Sequence, residues 1–172
     1  MDTAIDLMRP RLVTAHADGS SDSERNRNGS GFFLKYPDNT TSKHKVSAAQ
    51  IASNFTCELI AIRTALDIYL TGTSIADSDG IIVLSNCRSA LEVTQEINSL
   101  LFSIGALGKS CTLQWIPAHV DIEGNEMANS FGNEARTLEP VTSFTTVSDA
   151  NALAKQKLCS NPRKILATRI KL

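Results

Sequence analysis

Five residues in this sequence have the type and placement to do chemistry. Asp18 closes the run RLVTAHAD. Glu58 lies in NFTCEL, in the first turn of a helical pattern. Asn86 follows IIVLS, His119 sits in WIPAHVDIEGNE, and Asn129 sits in GNEMANSFGNEA. Carboxylates and amides both offer oxygen, the ligand that hard divalent cations require. An amide oxygen ligates without bringing charge. Each residue also has a plainer reading. Asp18 before Gly19-Ser20 suits a turn. Glu58 near a helix start favours the helix dipole. His119 reads as an exposed loop residue, and the two Asn as structural hydrogen-bonders.

The elements that must position these residues follow from periodicity. Residues 11–18 read as a strand ending at Gly19-Ser20, and the polar stretch 21–30 as a turn or loop. Residues 31–36 (GFFLKY) form a second strand, closed by the turn signal Pro37-Asp38-Asn39, and 43–49 a weaker third. Short loops make an antiparallel meander the economical arrangement. From 54 to 69 the period turns helical, with Leu59, Ile62, Leu66 and Tyr69 on one face and Ser53 or Asn54 as N-cap. Residues 81–85 are apolar on both faces, as expected of a central strand covered by helices. Residues 88–101 read as a helix, 111–116 as a fifth strand, 117–123 as a loop and 124–138 as a helix. Ser148 is placed to cap a last helix over 149–158. The expected fold is α/β: a five-stranded mixed sheet, with an antiparallel meander of strands 1, 2 and 3 plus parallel strands, flanked by helices.

Composition sets the outer limits. With 172 residues, 42% hydrophobic and 20% charged, the chain is long and apolar enough for one globular domain. The net charge of −1 announces no global attraction for nucleic acid. Its distribution is uneven: no Asp or Glu follows Asp149, and residues 150–172 carry +6 against −7 for residues 1–149. A basic tail on an acidic body can hold phosphates, or can be a solvated helix. Cys57, Cys87, Cys111 and Cys159 form no CxxC knuckle; three of them lie in predicted helix or strand positions and read as buried reduced thiols, which suggests an intracellular protein. The first ten residues lack the basic-then-apolar plan of a signal peptide, and no apolar run is long enough to span a membrane.

Five ordered blocks carry a resemblance: ADGSS, NGSGFFLKY, SNFTCELIAIRTAL, IIVLSNCRSAL and LQWIPAHVDIEGNEMANSFGNEA, within residues 10–138. Together they resemble type 1 ribonuclease H, in the form carried by non-LTR retrotransposons. His119 and Asn129 are ten residues apart, and Asp18 and Glu58 forty, as in that family. The resemblance implies a domain over 10–138 with a basic helical extension over 139–172. It also implies an endonuclease that cleaves the RNA strand of RNA–DNA hybrids with two Mg²⁺ or Mn²⁺ ions. Two such ions about 4 Å apart repel by on the order of 15 kcal/mol at an effective dielectric of about 20, and clustered carboxylates offset that.

By the same resemblance Asp18, Glu58 and residues 86 and 129 are the metal ligands, and His119 assists proton transfer or product release. The family pattern has SDSRSAL and NExAD where this chain has SNCRSAL and NEMAN, so Asn86 and Asn129 replace two Asp. Four negative charges become two. Asp77 and Asp79 precede the fourth strand and cannot compensate; Asp121, at a position usually Gly, is the one new acid nearby. Implied substrate contacts are Gly19, Ser20, Ser53, Asn54 and Arg88, which would read 2′-hydroxyls and backbone rather than bases. Three functions follow: a weakened ribonuclease H, a catalytically dead domain that binds hybrid nucleic acid, or a decaying transposon fragment.

Overall fold

The computed structural model describes residues 11–49, 51–88, 95–118, 120–139, 149–151 and 154. Five strands form one sheet: β1 (Leu12–Asp22), β2 (Arg27–Lys35), β3 (Thr41–Ser47), β4 (Gly80–Ser85) and β5 (Ser110–Trp115). Their order is β3-β2-β1-β4-β5. The meander β1-β2-β3 is antiparallel, and β4 and β5 are parallel to β1. Three helices flank the sheet: α1 (Asn54–Thr71), α2 (Gln95–Ala106) and α3 (Glu123–Ala135). The expected mixed sheet is thus present, with β1 at its centre.

Alternation along β1 assigns the two faces. Val13, Ala15 and Ala17 are fully buried, and in one cluster with Leu59, Ile62, Leu66 and Tyr69 of α1, Ile81 and Val83 of β4, and Ile97 and Ile104 of α2. The opposite face of β1 and β2 takes α3. That helix lies unusually close, because a Cβ added at Gly31 would fall 2.1 Å from the Ala128 carbonyl oxygen. Gly31 pairs with Asp18 in the ladder, so this contact seats α3 beside Asp18.

Several boundaries differ from expectation: β3 spans Thr41–Ser47 rather than 43–49, and α3 ends at Ala135 rather than at 138. Residues 21–30 are not a loop: β1 runs on to Asp22 and β2 begins at Arg27, leaving a tight hairpin with Asn26 at φ 50°. The polar side chains of Ser21, Asn28 and Ser30 are stable there because each finds a partner. Ser21 Oγ donates to Asn28 Oδ1 at 2.7 Å, Asn28 Nδ2 donates to the Ala49 carbonyl at 3.0 Å, and Ser30 Oγ donates to the Cys57 carbonyl at 2.7 Å. The helix expected over 88–101 is described from Gln95 and continues to Ala106; residues 89–94 lie outside the described residues. Of the helix expected over 149–158, residues 149–151 and 154 are described and are helical.

Candidate active site

The centre is built where β1, β4 and α1 converge. Asp18, 5% exposed, is held by its neighbour: Gly19 N–H donates to Asp18 Oδ1 at 2.8 Å. Gly19 itself is pressed against α1, since a Cβ there would lie 2.5 Å from the Glu58 nitrogen and 2.8 Å from the Asn54 carbonyl oxygen. Glycine at this position lets α1 bring Glu58 onto β1 beside Asp18.

Glu58 lies in the second turn of α1, not the first, and is 1% exposed. It hydrogen-bonds to Asp18. Ser85 Oγ, at the end of β4, donates to Glu58 Oε2 at 3.3 Å. Burial pushes the Glu58 carboxyl up to about 10, and the charge on Asp18 pushes in the same direction. Burial also raises Asp18, against hydrogen bonds from Glu58, Gly19 and Asn86 that lower it. Two carboxyl groups in contact without a cation cannot both ionise cheaply, so the pair keeps a proton. The helix-dipole reading of Glu58 therefore gives way to a buried, protonated acid.

Asn86 follows β4, half-buried. Its side-chain amide donates to Asp18 Oδ2 at 3.4 Å, and Trp115 Nε1 donates to its carbonyl at 3.1 Å. Asp18, Glu58, Ser85 and Asn86 thus form one hydrogen-bonded group. Asn129 joins less directly. Its Oδ1 accepts from Asn133 Nδ2 at 3.3 Å, and Asn133 Oδ1 accepts from Ser20 Oγ at 2.7 Å. A relay of three side chains connects Asn129 on α3 to the strand that carries Asp18.

Sequence reasoning passed over four participants. Ser85, Asn133 and Thr56 act through hydroxyl or amide bonds to the group or to the start of α1. Glu126 adds negative potential that raises Asp18; its spacing of three from Asn129 on a helix was the available signal. Asp79 lies at the far end of the sheet, where it accepts from the Arg11 N–H at 2.7 Å. Asp121 is exposed at φ 57°. His119 lies outside the described residues. Of the expected substrate contacts, Asn54 and Arg88 are exposed, Gly19 and Ser20 are buried, and Ser53 caps α1 by accepting the Thr56 N–H at 3.2 Å.

A family model described as RNase H matches residues 10–137. Among solved structures the chain is similar to RNase H1 from the halophilic archaeon Halobacterium salinarum NRC-1, at 20% identity and TM-score 0.51, covering 72% of this chain and 96% of that one. It is also similar to the N-terminal RNase H domain of a Mycobacterium tuberculosis protein, solved as a fusion with maltose-binding protein. There the identity is 18% and the TM-score 0.52, covering 74% of this chain and 97% of that one. At these identities the likeness is one of fold. No curated protein matches the chain. The family match spans β1 to β5 and α1, α2 and α3, including β1 and α1 that carry the acid pair, and the chain belongs to the ribonuclease H family.

Proposed function

We propose that this domain binds RNA–DNA hybrids and cleaves their RNA strand far more slowly than a family member with four carboxylates. One observation carries the reading: the Asn86 amide points its N–H at Asp18 Oδ2. The carboxylate that would ligate a metal accepts instead from a neutral donor.

Ribonucleases H generally use divalent metals. The residues here do not fit a pair of them. Two divalent ions bring four positive charges, and Asp18 with Glu58 supplies at most two negative ones. Among the described residues no group of three or more His, Cys, Asp or Glu is placed to hold a metal ion. Asn86 and Asn129 preserve the size of the Asp they replace and remove its charge, which keeps the shape of a substrate surface. Asn54 and Arg88, both exposed, are the contacts we assign to the hybrid, and an Arg on a phosphate is chemically apt. The motif blocks support an origin in a non-LTR retrotransposon. Cys57 and Cys111 are free thiols, which supports an intracellular setting. No helix among the described residues is long and apolar enough to cross a membrane.

The test compares hybrid cleavage by the unmodified chain, Asn86→Asp, Asn129→Asp and the double variant, in Mg²⁺ and in Mn²⁺. The double variant is expected to cleave at least roughly a hundredfold faster than the unmodified chain, and each single variant to recover little, because residues of one catalytic unit are non-additive. Equal rates for the unmodified chain and the double variant would overturn the reading.

A further inference from the structure

The tip of the β1–β2 hairpin and the end of α3 enclose a cleft of about 500 Å³, lined by Arg25, Arg27, Asn28, Ser47, Arg136 and Glu139 among others. Three arginines meet here on a body whose first 149 residues carry −7. Close packing builds the cleft. A Cβ added at Gly29 would lie 2.7 Å from the Arg136 nitrogen, so the end of α3 is pressed onto β2 two residues from Arg27. The floor is satisfied internally: Asn28 Nδ2 donates to the Ala49 carbonyl at 3.0 Å, and Ser47 Oγ donates to the Leu138 carbonyl at 3.1 Å. Two of the arginines are not. Asp22 faces Arg27 across the ladder, but its Oδ2 pairs with Arg25 at 3.5 Å. Among the described residues no carboxylate pairs with Arg27 or Arg136. Arg136 donates its Nε–H to the Asn133 carbonyl at 3.5 Å, which leaves its terminal nitrogens for a ligand. A cation at Arg136 also suits the negative end of the α3 dipole; Arg27, on a strand, has no such local use.

We infer that this cleft is a phosphate site, in which Arg27 and Arg136 hold a backbone phosphate of the bound duplex at a distance from the acid pair. That the duplex is an RNA–DNA hybrid rests on the reading above. Gly31 lies opposite Asp18 in the ladder, and Arg27 is four residues from it along β2, about 13 Å. Arg136 follows Asn129 by seven residues along α3, about 10 Å. Asn129, Asn133 and Arg136 recur at helical spacing, so one face of α3 runs from the centre to the cleft. At about 3.4 Å of rise per nucleotide, the cleft meets a phosphate roughly three to four nucleotides from the acid pair. Asn54 at the start of α1 and Arg88 after β4 belong to other elements, so this is a separate contact. Guanidinium forks match phosphate oxygens in pairs. Glu139 sets one carboxylate against the two guanidiniums, and the cleft keeps its positive sign.

The experiment uses the full chain and an RNA–DNA hybrid long enough to span both the acid pair and the cleft. Affinity and its salt dependence are measured for the unmodified protein, Arg27→Gln, Arg136→Gln, the double variant and Lys35→Gln. Lys35 is the control. It carries the same charge, is exposed, lies outside the cleft, and stands four residues from Gly31 in the other direction, as far from Asp18 as Arg27. Each arginine variant is expected to bind roughly three- to tenfold more weakly at low salt, and the double variant to lower the salt slope by about one phosphate contact. Lys35→Gln is expected to bind as the parent does. Unchanged affinity in the double variant overturns the inference. So does an equal loss in Lys35→Gln, which would be a bulk charge effect. Arg27 is exposed, so Arg27→Gln decides alone if Arg136→Gln fails to fold. If the unmodified chain binds no hybrid, the hybrid-binding reading falls, and inorganic phosphate then decides the cleft. Saturating shifts of the Arg27 and Arg136 Nε–H resonances uphold the site. No shift overturns it.

Discussion

The Asn86 side chain donates to Asp18 Oδ2 across 3.4 Å, so the residue that removes a charge from the centre also supplies the donor its neighbour lacks. Asn86→Asp exchanges that donor for a third carboxylate beside Asp18 and Glu58. In the absence of metal the variant is expected to lose about 1–3 kcal/mol, from the lost bond and like-charge repulsion. Thermal unfolding in chelator measures the loss, and added Mg²⁺ is expected to return part of it. A variant as stable as the parent in chelator would show that this bond contributes nothing.

Glu58 makes stability depend on pH in a direction opposite to the usual carboxylate. Its folded value is raised to about 10 from 4.5, first by burial and then by Asp18. Between those values the folded chain holds a proton that the unfolded chain has released. Stability therefore falls as pH climbs above about 4.5 and continues to fall towards about 10. Glu58→Gln keeps the shape without the titration. It is expected to match the parent near pH 4 and to exceed it by about 1–3 kcal/mol near pH 8, in urea unfolding at both. A stability difference that stays constant with pH would refute a proton held on Glu58.

The seat of α3 is the next test. Gly31→Ala introduces a Cβ that meets the Ala128 carbonyl oxygen at 2.1 Å and the Gly132 nitrogen at 2.3 Å. Both are backbone atoms of a packed helix, so relief requires α3 to move off the sheet. The expected cost is about 2–3 kcal/mol. Because α3 carries Asn133, the hydroxyl bond from Ser20 should weaken with it, giving shifts in the Ser20 and Asn133 resonances. Unchanged stability would mean that the helix has room to spare.

Hybrid binding is expected to weaken as salt rises, because counterion release drives it. Arg88→Ala should lower affinity by roughly three- to tenfold at low salt and reduce the salt slope by about one phosphate contact. Arg88 is exposed, so the fold should be unaffected. A salt slope identical to the parent's would remove Arg88 from the interface.

Local pattern was enough to announce the layers of this protein. The apolar spacing of Leu59, Ile62, Leu66 and Tyr69 marks the buried face of α1, and the all-apolar IIVLS marks a central strand, because burial acts on each element through its own period. Two of the candidate ligands were legible from the same pattern: Asp18 ends the apolar run of β1, although the strand itself continues to Asp22, and Asn86 directly follows β4.

Only the tertiary structure decided what those residues do to one another. The stretch 21–30 looked like a loop, because its polar side chains have no local use for a strand. Across the hairpin Ser21 meets Asn28, and the backbone carbonyls of Ala49, Ala52 and Cys57 are brought close by folding. Glu58, taken alone, read as an acid favouring the helix dipole; its burial against Asp18, which raises its carboxyl, appears only in the fold. The relay from Ser20 spans 113 residues to Asn133, and the bond from the Ser53 N–H to Asp149 Oδ1 spans 96. Periodicity reports which side of an element is apolar. It carries nothing about which distant polar group will meet a buried donor or acceptor, and at this centre those meetings set the charge.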